Sequence, residues 1–225
     1  ASGTTTSTAI SLTGVFVTQN ERSSDDPHAH ATDGTLAPAT GSTGSGPTLR
    51  AGVRHIEHHL AHLGSAFLVS PFEEAVVVSV DGFGDFASAA WGLGREGRVE
   101  AKEKIYFPHS LGIFYQALTQ YLGFPNYGDE YKVMGLAPYG EPRFIGEMRR
   151  VVNLEDDGKF RLNLDYFRHH REKVEYEWEG GEPFVGNLFS SRLGELLGPV
   201  RQKDDELTQR HKDIACSVQA MYEEA

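Results

Sequence analysis

The sequence of 225 residues has room for one domain of ordinary size, or for one domain and a tail. Its hydrophobic fraction of 39% and its aromatic fraction of 11% are high enough for a folded core and too high for a chain that is disordered throughout. The net charge of −11, without a long run of like charges, argues against a nucleic-acid partner, because phosphate contacts need clustered lysine and arginine.

Cysteine content and hydropathy exclude further classes of protein. Cys216 is the one cysteine, so the chain cannot form an internal disulfide or a CxxC-type metal site. No stretch of about 18 apolar residues is present, and the first residues have neither the basic nor the apolar segment of a secretion signal. We therefore expect a cytoplasmic protein that does not span a membrane.

The first fifty residues differ in composition from the rest. After a short apolar alternation at residues 10–17, they consist mainly of serine, threonine, glycine, alanine and proline. Such a stretch buries too little apolar surface to offset the entropy that is lost on ordering. We predict a flexible segment over residues 18–50, and we divide the chain into an N-terminal segment, 1–50, and a folded region, 51–225.

A helix followed by three strands is predicted after residue 52. The helix is indicated by an apolar stripe at Ile56, Leu60, Leu63 and Phe67, and it ends at Ser70-Pro71. The β-branched run at residues 75–80 predicts a strand that is buried on both faces and stops at Asp81. Residues 86–93 and 99–107 predict two more strands, so the three strands form a meander with a glycine-rich loop at its first corner.

Helices predominate in the remainder of the chain. Residues 111–122 predict a helix with Ser110 as its N-cap and Gly123 just after its end. Three further elements are predicted: a helix over 143–152, a strand over 159–164 and a last amphipathic helix after Thr208. The sequence stops inside this last pattern, from which we expect a truncated sequence.

A histidine-rich segment, HIEHHLAH at residues 55–62, is the densest chemical signal. Residues i and i+4 lie on one helix face, about 5–6 Å apart at Cβ, so His58 and His62 can bind one metal ion. His55 and His59 have the same spacing, so spacing alone does not choose between the two pairs. The histidines project away from the apolar stripe, which argues against a role in the core. The alternative is a solvated, histidine-rich helix face.

Asp81 is the expected third ligand. It stands at the carboxyl end of the buried strand, where sheet proteins often bind ligands. A buried carboxylate needs a partner, and a metal held by His58 and His62 would provide one. Gly82 and Gly84, beside it, would let backbone N–H groups approach a phosphate. The alternative is a turn-forming aspartate before a glycine.

Seven segments resemble carbamoyltransferases of the nodulation-protein type, a family that carbamoylates lipo-oligosaccharide signals and antibiotic precursors. The resemblance extends from about residue 54 to the end of the chain. The segments are EHHLAH (57–62), SAF (65–67), SPFEEA (70–75), DGFGD (81–85), FPHSLGIFYQALTQYLGF (107–124), DEYKVMGLAPYGEP (129–142) and DIACSVQAMYEE (213–224).

This resemblance implies an α/β fold of the actin-like, ribonuclease-H type, here incomplete, and a two-stage reaction. In a second domain, carbamoyl phosphate and ATP form carbamoyl-adenylate. The region seen here then transfers the carbamoyl group to an acceptor hydroxyl of a small molecule, such as a sugar or an antibiotic precursor.

The resemblance also implies roles for individual residues. It implies that His58, His62 and Asp81 bind a divalent metal, with iron(II) as the preferred ion, which acts as a Lewis acid. His59 becomes a close neighbour of these ligands or a solvent-facing residue. The residues implied in nucleotide binding are Gly82 and Gly84, at the phosphates of ATP or of the adenylate, and Glu130 and Lys132, which touch the nucleotide or order its loop.

Three family features are expected and are not found in the sequence: an early glycine-rich phosphate loop with a His-Asp pair, a GGG or GGV motif with a later metal-binding aspartate, and the adenylate-forming domain. We therefore expect weak metal affinity, no turnover by this chain alone, and self-association through unpaired strand edges. The alternatives are a non-catalytic remnant that binds metal, nucleotide or a partner chain, and a zinc hydrolase, which lacks an evident general base.

Overall fold

The computed structural model describes residues 8–10, 55–179 and 182–225, so the flexible segment predicted over residues 18–50 lies outside the described residues. The elements are β1 (Thr8–Ile10), α1 (His58–Phe67), β2 (Glu74–Gly84), β3 (Ala87–Arg95), β4 (Arg98–Tyr106), α2 (Leu111–Tyr121), α3 (Glu130–Leu136), α4 (Ile145–Val151), β5 (Val152–Leu154), β6 (Phe160–Leu162), β7 (Tyr176–Glu179), β8 (Glu182–Val185), α5 (Ser191–Leu197) and α6 (Gln209–Glu224). Single 3₁₀ turns follow α3 and β6.

A mixed four-stranded sheet, in the order β1-β2-β3-β4, positions the candidate site. Strand β1 is parallel to β2, and β2, β3 and β4 form the antiparallel meander that the sequence predicted. The predicted end of β2 at Asp81 was wrong, because the strand continues to Gly84. Its pairing with β3 shifts register between Val80 and Gly84. Such an irregularity bends a strand and redirects its side chains.

Helix α1 covers one face of this sheet. Leu63 and Phe67 are buried there in a small core cluster whose other members are Ala75, Val77 and Ala90. Gly94 on β3 admits the Phe67 ring, because a Cβ at this position would lie 2.4 Å from the ring carbons. Close contact between helix and sheet therefore depends on a small residue beneath the phenyl ring.

The predicted apolar stripe of α1 was only half right. Leu63 and Phe67 are buried, but Ile56 is 67% exposed and Leu60 is 37% exposed. The exposure of Ile56 has its reason at the start of the helix, where the Glu57 carboxylate accepts hydrogen bonds from the backbone N–H groups of His59 and Leu60 at 3.2 and 2.8 Å. This cap starts the helix at His58 and leaves Ile56 outside it.

The larger core lies around α2 and α6. Its buried residues include Phe114, Leu118, Tyr121, Ile214, Val218 and Met221. Helix α2 has the predicted limits, since the Ser110 hydroxyl accepts from the Ile113 N–H at 3.1 Å and Gly123 follows with a φ of +81°. Helix α4 and strand β6 are present but shorter than predicted, and α6 begins directly after Thr208 as predicted. Within the described ranges, no helix combines the length and the apolar character needed to cross a bilayer.

Candidate metal centre

His58, His62 and Asp81 converge at one end of the sheet. The Nε2 atom of His58 lies 2.8 Å from Oδ2 of Asp81 and 3.0 Å from Nε2 of His62. The Nε2 atom of His62 lies 3.5 Å from the same carboxylate oxygen. In the part of the chain that the structure describes, this is the one group of three histidine, cysteine or acidic side chains whose ligand atoms all lie within 4.8 Å of one another.

These separations match those between ligands of a single ion. Bonds of about 2.1 Å place two ligand atoms about 3.0 Å apart at right angles and about 3.4 Å apart at tetrahedral angles. Two imidazole nitrogens and one carboxylate oxygen suit iron(II), zinc or manganese and leave coordination positions open. The donor set therefore fits a divalent metal of the kind that the sequence implies.

The Asp81 carboxylate is held in its charged form. Burial alone would raise the pKa of this carboxyl, but hydrogen bonds from His58 and from the Gly82 N–H outweigh it and hold the pKa below its usual value. The Gly82 N–H donates to Oδ1 at 2.6 Å, while Oδ2 faces the two histidines. One carboxylate oxygen is thus fixed by the backbone and the other is directed at the candidate metal position.

The start of α2 fixes the backbone around Asp81. The Ser110 hydroxyl donates to the carbonyl oxygens of Asp81 and Gly82 at 3.0 and 2.8 Å. Gly112 lies against the same peptide, and a Cβ there would come within 2.7 Å of the Asp81 carbonyl oxygen. The segment Ser110-Leu111-Gly112 therefore sets the position of Asp81 by a hydrogen bond and by close packing.

The two glycines that follow Asp81 have different surroundings. A Cβ at Gly84 would lie 2.0 Å from Cδ2 of His58, so this glycine makes room for the imidazole. A Cβ at Gly82 would meet nothing within 4 Å, and its N–H is already engaged by Asp81. Asp85, the residue after Gly84, accepts a hydrogen bond from the His58 backbone N–H at 2.9 Å and so links α1 to the end of β2. Phosphate contacts by Gly82 and Gly84 stay a prediction.

Of the two expectations for His59, the structure agrees with the close neighbour of the ligands, because its ring centre lies 5.2 Å from that of His58. The argument that the histidines project away from the core was wrong for this residue. Its side chain is fully buried, with Nδ1 3.0 Å from the Ser79 hydroxyl oxygen. Burial lowers the pKa of the imidazole and outweighs the opposing effect of the Ala87 carbonyl, so His59 is a neutral link between α1 and β2. The spacing of His59, Leu63 and Phe67, four residues each, was the signal that could have identified it.

Glu130 and Lys132 lie on α3 and do not belong to the group of metal-binding side chains. The Lys132 ammonium is 2.7 Å from Oδ1 of Asp129 and 5.7 Å from the ring centre of Phe124. Burial raises the pKa of the Glu130 carboxyl, and the nearby Asp129 charge adds to this effect. The structure thus gives Lys132 an acidic and an aromatic neighbour, and a nucleotide role for either residue stays a prediction.

Tyr115 of α2 and Tyr222 of α6 form an aromatic pair. The rings of Tyr115 and Tyr222 pack edge to face with centres 5.5 Å apart. Burial, and then the charges of neighbours that include Glu130, raise the pKa of the Tyr115 hydroxyl; burial and the Asp81 charge raise that of Tyr222. The tyrosine pair therefore experiences the charges of both Glu130 and Asp81.

Comparison with known proteins defines the class of this protein. Residues 44–225 match the model of the family described as the carbamoyltransferase N-terminus. The chain therefore belongs to the carbamoyltransferase family, which confirms the resemblance in its motifs.

Individual relatives agree with this assignment. An uncharacterised protein of Synechocystis sp. is 40% identical over 168 residues, which are 74% of this chain and 25% of that protein. Nodulation protein NolNO of Sinorhizobium fredii is 35% identical over 177 residues, 76% of this chain and 22% of that protein. Nodulation protein NolO of Bradyrhizobium diazoefficiens is 36% identical over 171 residues, 75% and 26% of the two chains. The chain thus spans about a quarter of the length of these relatives.

Proposed function

We propose that this chain supplies the metal-binding part of a carbamoyltransferase that transfers a carbamoyl group from carbamoyl-adenylate to an acceptor hydroxyl. The observation that carries this proposal is the convergence of His58, His62 and Asp81 in a chain of the carbamoyltransferase family. We also propose that the region forms part of an actin-like, ribonuclease-H-type fold, to which the meander of β2, β3 and β4 would belong, and that it acts in the cytoplasm, where ATP is available.

In this proposal His58, His62 and Asp81 hold a divalent ion, iron(II), which supplies a Lewis acid when it is bound. The protein's own contribution is preorganisation. Asp85 fixes the start of the helix that carries both histidines, and Ser110 fixes the peptide that carries the carboxylate. Such fixed ligands need little rearrangement as charge develops on a substrate oxygen.

The nucleotide and the acceptor are the small-molecule partners in this proposal. ATP and carbamoyl-adenylate would contact the turn at Gly82 and Gly84 with their phosphates, and Glu130 and Lys132 on α3 would contact the nucleotide or order its loop. The Lys132 ammonium supports the proposed nucleotide contact, because lysine is a cation that pairs with phosphate. The acceptor would be a hydroxylated small molecule such as a sugar or an antibiotic precursor, with carbamoyl phosphate as the carbamoyl source.

A second candidate is a chain that binds metal, nucleotide or a partner chain without turnover. Self-association belongs to this candidate. Strand β1 pairs only with Val76–Val78, so the rest of that edge of β2 has no strand partner among the described residues. The opposite edge strand, β4, has charged residues at alternate positions, Glu100, Lys102 and Lys104, and such charges on an edge strand disfavour pairing with another chain.

Carbamoyl transfer tests the proposed function directly. We would incubate iron(II), ATP, labelled carbamoyl phosphate and a panel of sugars either with this chain or with a carbamoyltransferase of the relatives' full length that carries this region. Labelled product is expected from the long protein and not from this chain alone. In the long protein, Asp81→Asn is expected to lower kcat/KM at least about 100-fold, which corresponds to about 2.7 kcal/mol of transition-state stabilisation.

Product formed by this chain alone would contradict the expectation that the region is inactive by itself. Unchanged kcat/KM in the Asp81→Asn protein would contradict the role of the metal centre in transfer. Asp157→Asn serves as the matched control and should leave kcat/KM unchanged. Asp157 is an exposed aspartate that pairs with Lys159.

A further inference from the structure

Two tight hairpin turns in the sheet have the same shape and different sequences. Asp85-Phe86 joins β2 to β3 with φ angles of +50° and +63°, and Glu96-Gly97 joins β3 to β4 with φ angles of +53° and +70°. Two-residue turns with positive φ at both positions are of type I′, and glycine is preferred at the second position. Gly97 agrees with this preference, and Phe86 does not.

Phe86 combines an unfavourable backbone with an exposed side chain. A positive φ is rare for a bulky residue, because its Cβ crowds the following carbonyl group. The side chain is 83% exposed, so burial of the phenyl ring does not compensate. Packing among the residues that the structure describes thus gives no reason for phenylalanine at this position. Residues with strained backbone that packing does not explain are concentrated at ligand-binding sites.

The Asp85-Phe86 turn, which lacks the preferred glycine, lies at the end of the sheet that carries the candidate metal centre. The Asp85 carboxylate accepts from the His58 N–H, and Gly84 lies against the His58 ring. The turn at Gly97 lies at the opposite end of β3, whose nine residues separate the two turns by about 30 Å. The two turns of this sheet can therefore be compared directly. Phe86, which stands where glycine is preferred, lies in the turn beside the candidate metal centre.

Two other exposed aromatic residues are paired through the backbone with Phe86 and its neighbour. The Phe86 carbonyl oxygen accepts from the Phe107 N–H at 2.9 Å, and the adjacent Ala87 is paired with Tyr106 across the strands. Phe107 is 49% exposed and Tyr106 is 57% exposed. Phe86, Tyr106 and Phe107 are thus three exposed aromatic residues at this end of the sheet.

We propose that Phe86 is a contact residue for the ring of the acceptor, and that this ring is saturated, hydroxylated and neutral or cationic. This inference rests on the proposed function. Aromatic side chains pack against the C–H face of such a ring, while their apolar surface does not compete for its hydroxyl groups. The carboxylate of Asp85, the residue next to Phe86, favours a neutral or cationic ring at Phe86, whereas the phosphates proposed at Gly82 and Gly84 lie beside the metal ligands.

Binding measured without catalysis tests this inference. Saturation-transfer NMR on the zinc-loaded chain would use three probes: methyl β-D-glucopyranoside, its cationic 2-amino analogue and AMP as the anion. We expect signals from one or both sugars, a loss of at least about five-fold in Phe86→Asn, and retention in Phe86→Trp. Asparagine tolerates a positive φ, so the melting temperature should be unchanged or higher by up to about 3 °C. Gly97→Asn, in the matching turn, should leave sugar binding unchanged.

Zinc affinity, measured in each variant, separates this inference from the proposed function. Absence of sugar binding, equal binding by Phe86→Asn, or a preference for AMP that depends on Phe86 would overturn the inference and leave the metal centre untouched. A lower melting temperature or a lost zinc site in Phe86→Asn would also overturn it, because Phe86 would then have a structural role. If the unsubstituted full-length protein showed no carbamoyl transfer while sugar binding still depended on Phe86, the proposed function would instead be refuted.

Discussion

Replacement of His62 by alanine is expected to weaken the binding of a divalent metal by at least about 100-fold, because mutation of groups that merely support metal ligands already costs about 10–100-fold. His62 provides one of three converging donors, with its Nε2 atom 3.0 Å from that of His58. Titration calorimetry with zinc and manganese, and with iron(II) under anaerobic conditions, measures the affinity directly.

His55 provides the matched control for this experiment. It has the same four-residue spacing from His59 that His58 has from His62, but it is exposed and precedes α1. His55→Ala should therefore leave the affinity for metal unchanged. Equal losses in the two variants would show that the segment binds metal through a solvated histidine-rich surface, and not through the site that includes Asp81.

Replacement of Gly112 by alanine is expected to destabilise the protein by about 1–3 kcal/mol, the usual cost of forcing extra atoms into a packed site. A Cβ at this position would lie 2.7–2.8 Å from the carbonyl group of Asp81 and the nitrogen of Gly82, all of them backbone atoms that cannot rotate away. Displacement of this peptide should also lower the affinity for zinc. Urea denaturation and zinc titration measure the two effects.

Gly64 is the control for this substitution, because it is also a helical glycine. A Cβ at Gly64 would meet nothing within 4 Å. Since alanine is preferred to glycine inside helices by about 0.5–1 kcal/mol, Gly64→Ala should stabilise the protein by this amount and leave zinc binding unchanged. If Gly112→Ala and Gly64→Ala both stabilised the protein, contact between Gly112 and the Asp81 peptide could not be the determinant of stability at position 112.

The features that the sequence predicted well are those with local causes. The limits of α2 follow from Ser110 and Gly123, which act on the helix that they flank. The meander follows from three strand-forming segments separated by short turns, which leave few ways to connect the strands. The convergence of His58, His62 and Asp81 was foreseen because a helix and a strand joined by a short turn pack side by side.

The features that were missed depend on contacts between distant residues. Spacing left open the choice between the two histidine pairs, and this choice depends on Asp81, 23 positions after His58, whose Oδ2 atom lies 2.8 Å from the His58 Nε2 atom. The burial of His59 depends on Ser79, which lies twenty positions further along the chain. Spacing reports which residues share a helix face, but it does not report which face the sheet will cover.

The contiguity of the candidate metal centre in the sequence has a consequence for biosynthesis. The three ligands, the Glu57 cap, the His59 link and the Gly112 contact all lie between residues 57 and 112, and so does the small core cluster under α1. Synthesis at about 5–20 residues per second leaves several seconds between the emergence of Gly112 and the completion of α6. A nascent chain can therefore present His58, His62 and Asp81 to an ion while its larger core is still being translated.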